Sequence, residues 1–335
     1  MKKFLICLMS VLFVFIGCSK MDIQDTDVNY VNYDRTEIVF NGGLITKSAA
    51  IVDGTTLPSD WKFGIAASYV TGGYDETPAE YTQPAPDATD FFGGFKEVTK
   101  VDSLGNSFYR VSDGTYYWPR TGSMTFYALA NGTTKPDATW DKTNAKLTLT
   151  GYDLGVIDDQ KDLLYAKTIV TDVAESATKA VDINFNHTLA QIVFKFSKST
   201  ILNSTTVKVT SVVVSVPKTT ADFDSGVDDY WINLSGGTDI TVLSSSYTCT
   251  PTPTVAGDVI LVFPQTLPDD AIVTINYQTN VLGWVRNRTA VIKGSALKGK
   301  WEAGHKYTYN IEVSTSEILF TSNVNNWTDD SNVIY

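Results

Sequence analysis

The sequence predicts an all-β protein, and three observations support this fold class. Apolar and polar residues alternate with a period of two in many short segments rich in Val, Ile, Thr and aromatic residues. A helical period of 3.6 residues is almost absent. Gly, Asn, Asp and Pro cluster between the segments, as tight turns require. Many short strands separated by turns favour β-sandwiches over a parallel α/β sheet.

The first element is an N-terminal segment with the layout of a lipoprotein signal peptide. Two lysines are followed by an apolar run over residues 4–16, and Gly17 then precedes Cys18. This run is shorter than the roughly 20 residues that an α-helix needs to cross a bilayer core. We therefore expect residues 1–17 to be removed and Cys18 to carry acyl chains such as palmitate, which anchor the protein in the outer membrane. The alternative is an ordinary secretory signal whose cysteine is incidental.

Two polar stretches divide the remaining chain. Residues 18–35 lack a strand pattern, which is typical of a flexible tether between lipid and globule. Residues 171–179 are small and polar between two strand-like segments. We therefore predict one β-sandwich domain over residues 36–179 and a second over residues 180–335.

The strongest strand patterns lie in the second half of the chain. In residues 192–196, 212–216 and 307–313 every second side chain is apolar, and the intervening positions include Lys195, Ser215 and Thr308, so each segment should bury one face. The apolar runs 38–40 and 259–263 are uninterrupted, which predicts strands buried on both faces.

Charge and cysteine content exclude several classes of protein. The net charge of −11, with no basic cluster, disfavours nucleic acid as a partner. Cys7 leaves with the signal peptide and Cys18 is the proposed anchor, so Cys249 has no partner for a disulfide. Cys249 lies in an alternating segment, which predicts a small buried side chain and not a nucleophile.

The sequence carries no recognisable catalytic constellation. His187 and His305 are the only histidines, and neither belongs to an H-E-x-x-H motif. No G-x-S-x-G motif or phosphate-binding loop is present. Adjacent acidic pairs would point to opposite faces of a strand, and residues 222–228 depart from the EF-hand spacing. We therefore expect no enzyme activity, metal or cofactor.

Several segments occur in an order that matches one family. They are residues 38–48, 117–128, 162–166, 185–190 and 301–309, with Trp327 near the end. Together with the lipoprotein signal, this series resembles the fimbrillins, which are pilin precursors exported as lipoproteins by anaerobic Gram-negative bacteria. The resemblance implies two transthyretin-like, Greek-key β-sandwiches and a role as a pilus subunit or accessory tip subunit in adhesion. The implied partners are other fimbrial subunits and a trypsin-like surface protease.

The resemblance also implies how the subunit would assemble. A protease cut after Lys47 or Arg35 would release an N-terminal strand together with the lipid. The strand removed on maturation would consist of Glu37, Ile38, Val39 and Phe40. Loss of this strand would leave an unpaired sheet edge over an open apolar groove, which is a strong acceptor for a strand of another chain.

The C-terminal residues are the candidate donor strand. Alternation is seen for Ile318 with Phe320 and for Val333 with Tyr335, but polar residues interrupt it between these pairs. Because few residues follow Trp327, a long donor strand must begin before it. This favours an accessory, anchor or tip subunit over a major stalk subunit.

A second class of function is a surface glycan-binding lipoprotein. It would also be an all-β sandwich, and the 7 Trp and 17 Tyr residues could stack against sugars. Aromatic residues that alternate with polar ones in strands belong more often to a core. The two functions differ in whether proteolysis triggers polymerisation or an exposed aromatic cleft binds polysaccharide.

Overall fold

The computed structural model describes residues 36–42, 57–58, 60–71, 89–103, 106–176, 179–202, 204–314 and 317–327. All of them belong to one compact unit, Thr36–Tyr335. Nearly all of the regular structure is β-strand, which confirms the predicted all-β class. The described helices are one short α-helix, α1 (Val173–Ser176), and 3₁₀ turns at Ile157–Asp159, Thr200–Leu202 and Gly294–Leu297.

The strands are numbered in chain order. Those of the first half are β1 (Phe40–Gly42), β2 (Lys62–Val70), β3 (Thr89–Asp90), β4 (Lys96–Ser103), β5 (Asn106–Val111), β6 (Ser123–Gly132), β7 (Thr139–Asp141), β8 (Lys146–Asp153), β9 (Leu164–Val170), β10 (Val181–Ile183) and β11 (Asn186–His187). Those of the second half are β12 (Ala190–Lys198), β13 (Thr205–Val216), β14 (Thr220–Asp224), β15 (Trp231–Ser235), β16 (Thr238–Leu243), β17 (Tyr247–Thr248), β18 (Thr254–Val255), β19 (Ile260–Val262), β20 (Gln265–Thr266), β21 (Ala271–Val281), β22 (Trp284–Lys293), β23 (Lys300–Trp301), β24 (His305–Val313) and β25 (Ile318–Asn326).

A nine-stranded sheet forms the N-terminal part in the order β10-β1-β5-β4-β2-β6-β9-β11, with β3 paired to β2. Its strands surround a core that includes Phe40, Phe63 and Phe126. Thr168 Oγ1 of β9 donates to Asp182 O of β10 over 2.9 Å, so strands from opposite ends of the strand order lie side by side. The sheet therefore curls around its core.

A four-stranded sheet, β15-β14-β8-β7, covers the other face of the nine-stranded sheet. Tyr165 and Leu129 of the larger sheet share a second core with Phe223 and Trp231 of the smaller one. The nine-stranded sheet is thus buried on both faces, which explains why its central strands β2 and β6 contain little polar alternation.

Two five-stranded sheets form the C-terminal part. One has the order β18-β12-β24-β25 with β19 paired to β12, and the other has the order β16-β13-β21-β22 with β17 paired to β13. Alternate side chains of both sheets fill a third core between them. The two remaining strands, β20 and β23, pair with each other.

Most of the predicted strand patterns are confirmed. In residues 212–216 and 307–313 every second side chain is buried and the intervening ones are half-buried. In residues 192–196 Ile192, Phe194 and Phe196 are buried, and Val193 on the opposite face is buried as well. Every residue of β19, within the predicted run 259–263, is buried. In the run 38–40, Ile38 and Phe40 are buried but Val39 is half-buried, so this run is buried mainly on one face.

Segments on either side of residue 179, the predicted domain boundary, contribute strands to the same sheets. Strands β10 and β11 follow that position yet belong to the nine-stranded sheet, and β14 pairs with β8. Val173, inside the expected linker 171–179, is buried in the N-terminal core. The domains 36–179 and 180–335 stay a prediction.

Candidate functional site

The N-terminal strand segment is paired on both sides. Ile38 N–H donates to Tyr116 O over 2.8 Å. Phe40 pairs in parallel with Val181 of β10 and antiparallel with Tyr109 of β5. The strand proper, β1, begins at Phe40 and lies inside its sheet, whereas Glu37 forms an isolated bridge with Tyr117. Removing the segment together with β1 would leave two unpaired edges.

Its apolar side chains lie in the N-terminal core. Ile38 is 2% exposed and Phe40 is fully buried. The Phe40 ring contacts Phe126 edge-on with 5.6 Å between centroids, and Phe63 in the same manner at 6.3 Å. Edge-to-face geometry adds about 0.5–1.5 kcal/mol to the burial of an aromatic pair. These contacts make the segment part of the fold and not an appended tail.

Polar contacts set the position of the strand along its neighbours. Glu37 forms an ion pair with Arg110 of β5 at 2.9 Å. Asn41 Nδ2 donates to Asp182 Oδ1 of β10 over 2.9 Å. Both contacts are partly open to solvent, so each contributes little stability but favours one register.

A cleft of 320 Å³ is lined by residues of β9 and of β10, the parallel partner of β1. Its lining includes Trp118, Thr168, Lys179 and Asp182. Trp118 Nε1 is buried and has no hydrogen-bond partner among the described residues. Loss of β1 would leave β10, which lines this cleft, without its parallel partner.

The side chains of the C-terminal strand β25 are less buried than Ile38 and Phe40 of the N-terminal strand segment. It pairs with β24 over its whole length, from Ile318 opposite Val313 to Asn326 opposite His305. It is the last strand of its sheet, so one of its edges is free among the described strands. Ile318 and Phe320 are only half-buried against the C-terminal core.

The end of β25 is held by a cluster that sequence reasoning missed. Trp327 stacks on His187 with 3.9 Å between ring centroids and an angle of 8°. His187 Nδ1 lies 2.7 Å from Asp162 Oδ2, and both side chains are buried. The two segments 162–166 and 185–190 were noted separately, but only the fold shows that they meet the C-terminal strand.

The remaining predicted site residues lie outside the described ranges. They are Cys18, Arg35, Lys47, Val333 and Tyr335. Of those described, the N-terminal strand and β25 belong to different sheets. A β25 strand that replaced the N-terminal strand would therefore have to leave its own sheet.

Other chemistry has little support in the part of the chain that the structure describes. No group of three His, Cys, Asp or Glu side chains is placed to hold a metal ion there. No helix within the described ranges is long and apolar enough to cross a membrane. Burial raises the pKa of the Cys249 thiol to about 11, so this thiol is inert at neutral pH.

Most of the tryptophans are buried and are not open for stacking against a sugar. Five of the seven are buried, namely Trp61, Trp118, Trp231, Trp301 and Trp327. Trp284, at 79% exposed, is the one tryptophan among the exposed large hydrophobic residues of the described ranges. The aromatic residues therefore serve mainly as core.

Comparison with known proteins gives a consistent result. A family profile described as fimbrillin-like matches residues 62–327. The solved structure of a fimbrial protein from Bacteroides vulgatus ATCC 8482 is 18% identical, covers 79% of this chain and 93% of its own, and has a TM-score of 0.53. The tip fimbrial protein Mfa3 from Porphyromonas gingivalis, solved with a C-terminal truncation, is 9% identical, covers 87% of this chain and 99% of its own, and has a TM-score of 0.38. A search of curated proteins gives no match. Because the family profile spans most of the sequence, the chain belongs to the fimbrillin-like family.

Proposed function

We propose that this fimbrial subunit assembles by strand exchange. A protease removes the N-terminal strand, residues 37–40, and the C-terminal strand of another subunit takes its place. The proposal gives the protein a role in assembly and surface attachment and assigns it no reaction.

The observation that carries the proposal is the interior position of the N-terminal strand. Its backbone is bonded on both sides, and Ile38 and Phe40 are buried. Each such side chain contributes about 1.5–3 kcal/mol when it is fully buried. A chain that has lost this strand recovers the free energy of burial only by binding another apolar strand. Cleavage therefore creates a strong acceptor.

The donor in this proposal is the C-terminal strand, β25. The difference in burial between β25 and the N-terminal strand supports this choice. Ile318 and Phe320 of β25 are half-buried at a sheet edge, whereas Phe40 is fully buried inside a sheet. Moving an alternating apolar strand from the first environment to the second buries Ile318 and Phe320 more deeply, and this gain has to exceed the loss of the β24 pairing and of the Trp327–His187 stack. In this proposal Val333 and Tyr335 extend the donor strand.

The two candidate cut sites differ in what they would release. A cut after Lys47 would separate residues 37–40 from the rest of the chain, whereas a cut after Arg35 would leave them attached. The proposal therefore requires the cut after Lys47, by a trypsin-like surface protease. Before the cut, acyl chains on Cys18 would hold the precursor on the outer membrane.

The proposal can be tested with a site for a sequence-specific protease placed at residue 47. After cleavage of the otherwise complete chain, we expect light scattering to show polymers. A cleaved chain that ends at Ser316 should remain monomeric and should bind a synthetic peptide of residues 317–335. An uncleaved chain with the same site is the control and should stay monomeric.

A second variant covers the case in which truncation disturbs folding. The double substitution Ile318→Asp and Phe320→Asp keeps the strand but makes it unfit for an apolar groove. We expect the cleaved double variant to stay monomeric while it still accepts the wild-type peptide. Polymerisation of this variant, or a cleaved wild-type chain that stays monomeric after the cut segment has been removed, would contradict the proposal.

A further inference from the structure

The hairpin of β21 and β22 projects an apolar tip into solvent. A two-residue turn, Leu282 and Gly283, joins the strands with positive φ angles of 51° and 93°. This turn type matches the twist of paired strands, and Val281 faces Trp284 across it. Leu282 is 87% exposed and Trp284 is 79% exposed. Large apolar side chains that are exposed together mark interaction sites.

The hairpin tip lies at one end of the C-terminal sandwich, together with other exposed apolar residues. Val281 pairs with Thr205 of β13, and Lys198 Nζ donates to Thr205 O over 3.0 Å. Lys198 pairs with Val313, which in turn pairs with Ile318. This end, which we call the distal end, therefore combines the hairpin tip with the turn between β24 and β25.

Half of the exposed large hydrophobic residues found in the described ranges lie at the distal end or next to it in sequence. They are Ile201, Val281, Leu282, Trp284, Val285 and Leu319. The opposite end of β24 meets the N-terminal part, where Gly304 N–H donates to Leu189 O. The distal end thus faces away from the N-terminal strand discussed above.

The β22 strand next to this tip is a sheet edge with a distinctive charge. It is the last strand in its sheet, so the backbone groups on its outer side are unpaired among the described strands. Residues 271–293 contain Arg286, Arg288 and Lys293 and no acidic residue, in a chain of net charge −11. Neither arginine has a carboxylate partner within the described part of the chain, and Arg288 Nε is buried without a hydrogen-bond partner.

The arginines share one face of β22 with Trp284. Alternate residues of a strand point to the same side, which groups Trp284, Arg286 and Arg288 with the buried Ile292. Ile292 contacts the core, whereas towards the tip the same face opens to solvent. A strand added at the β22 edge would place its side chains beside this row.

The positive charge of β22 determines which kind of strand can pair with its free edge. Two β22 edges paired with each other would bring arginines of the same sign together, which disfavours a second copy of this chain. We propose that the β22 edge and the Trp284 tip form a docking strand for an extended, acidic segment of a partner protein. Backbone hydrogen bonds supply the pairing, acidic side chains meet Arg286 and Arg288, and an apolar side chain packs on Trp284.

The test uses the complete mature chain and a labelled ten-residue peptide, the length of β22. One face of the peptide carries Glu opposite Arg286 and Arg288 and Val opposite Trp284, and the other face carries Thr. We expect saturable binding by fluorescence anisotropy and new protection of β22 backbone amides from hydrogen exchange. A peptide with Lys in place of Glu should bind about a hundredfold more weakly or not at all. Equal binding of both peptides, or protection of amides elsewhere instead of in β22, would overturn the proposal.

Substitutions of exposed side chains then measure how much Trp284 and the two arginines each contribute to binding of the peptide. Trp284→Ala should weaken binding about tenfold, and the double change Arg286→Glu and Arg288→Glu should abolish it. The matched controls are Val255→Ser and Lys208→Glu, which alter an exposed apolar residue and an exposed basic residue on other strands and should leave the affinity within about twofold. An unchanged affinity in the double arginine variant, or binding to anionic lipid vesicles in place of the peptide, would also overturn the proposal. Strand exchange at the N-terminal strand does not depend on any of these outcomes.

Discussion

Replacing Phe40 by Ala tests whether the N-terminal strand contributes to the core as its position implies. Phe40 is fully buried and contacts the rings of Phe63 and Phe126. Truncation of a buried Phe to Ala costs about 3–5 kcal/mol, because contacts are lost and a cavity remains. We therefore expect the free energy of unfolding of the uncleaved chain to fall by about this amount.

The measurement is urea denaturation followed by tryptophan fluorescence, with Val39→Ala as the control. Val39 lies on the same strand but is only half-buried, so its truncation should cost well under half as much as that of Phe40. A loss below about 1 kcal/mol for Phe40→Ala, or equal losses for both variants, would refute the reasoning.

The same variant has a second consequence for assembly. If the strand is held by burial of Phe40, its release after cleavage at residue 47 should become faster. A loss of about 3 kcal/mol corresponds to about a hundredfold change in the equilibrium for strand retention. The cleaved Phe40→Ala chain should therefore polymerise sooner than the cleaved wild type, and an unchanged or slower rate would show that strand release does not limit exchange.

Three further predictions concern other parts of the chain. Asp162→Ala removes the buried partner of His187 and should lower the free energy of unfolding, measured by urea denaturation, by about 1–3 kcal/mol. A change within experimental error would show that the contact between Asp162 and His187 does not stabilise the fold. The thiol of Cys249, with its pKa raised by burial to about 11, should resist alkylation of the native chain at pH 8 and react after unfolding, and rapid labelling of the native chain would contradict its burial. Cys18→Ala should abolish incorporation of labelled palmitate and retention on the membrane, and unchanged labelling would rule out Cys18 as the lipid attachment site.

Local patterns were sufficient to predict the fold class and many of the strands. Strands with one buried face, such as β13 and β24, alternate visibly along the sequence because each second side chain is more open to water. The uninterrupted apolar run that contains β19 indicated burial on both faces for the same reason. The N-terminal strand could be chosen as a candidate site because it combines apolar residues with flanking basic ones.

Contacts between distant segments could not be predicted from a single sequence. The parallel pairing of β1 with β10 joins residues more than a hundred positions apart, and the pairing of β8 with β14 crosses the predicted domain boundary. The cluster of Asp162, His187 and Trp327 has no local signal, since each residue is unremarkable in its own segment. By contrast, the absence of acidic residues over 271–293 was visible in the sequence, and only the exposed hairpin shows why it matters.

The central claim is that removal of the N-terminal strand makes the subunit competent to assemble. The most direct measurement is the mass and N-terminal sequence of this subunit isolated from assembled fimbriae. The account predicts a polypeptide that begins at Ser48, lacks residues 37–40 and carries no lipid. Assembled subunits that begin at Thr36, or at a lipid-modified Cys18, would retain the N-terminal strand and would contradict the account.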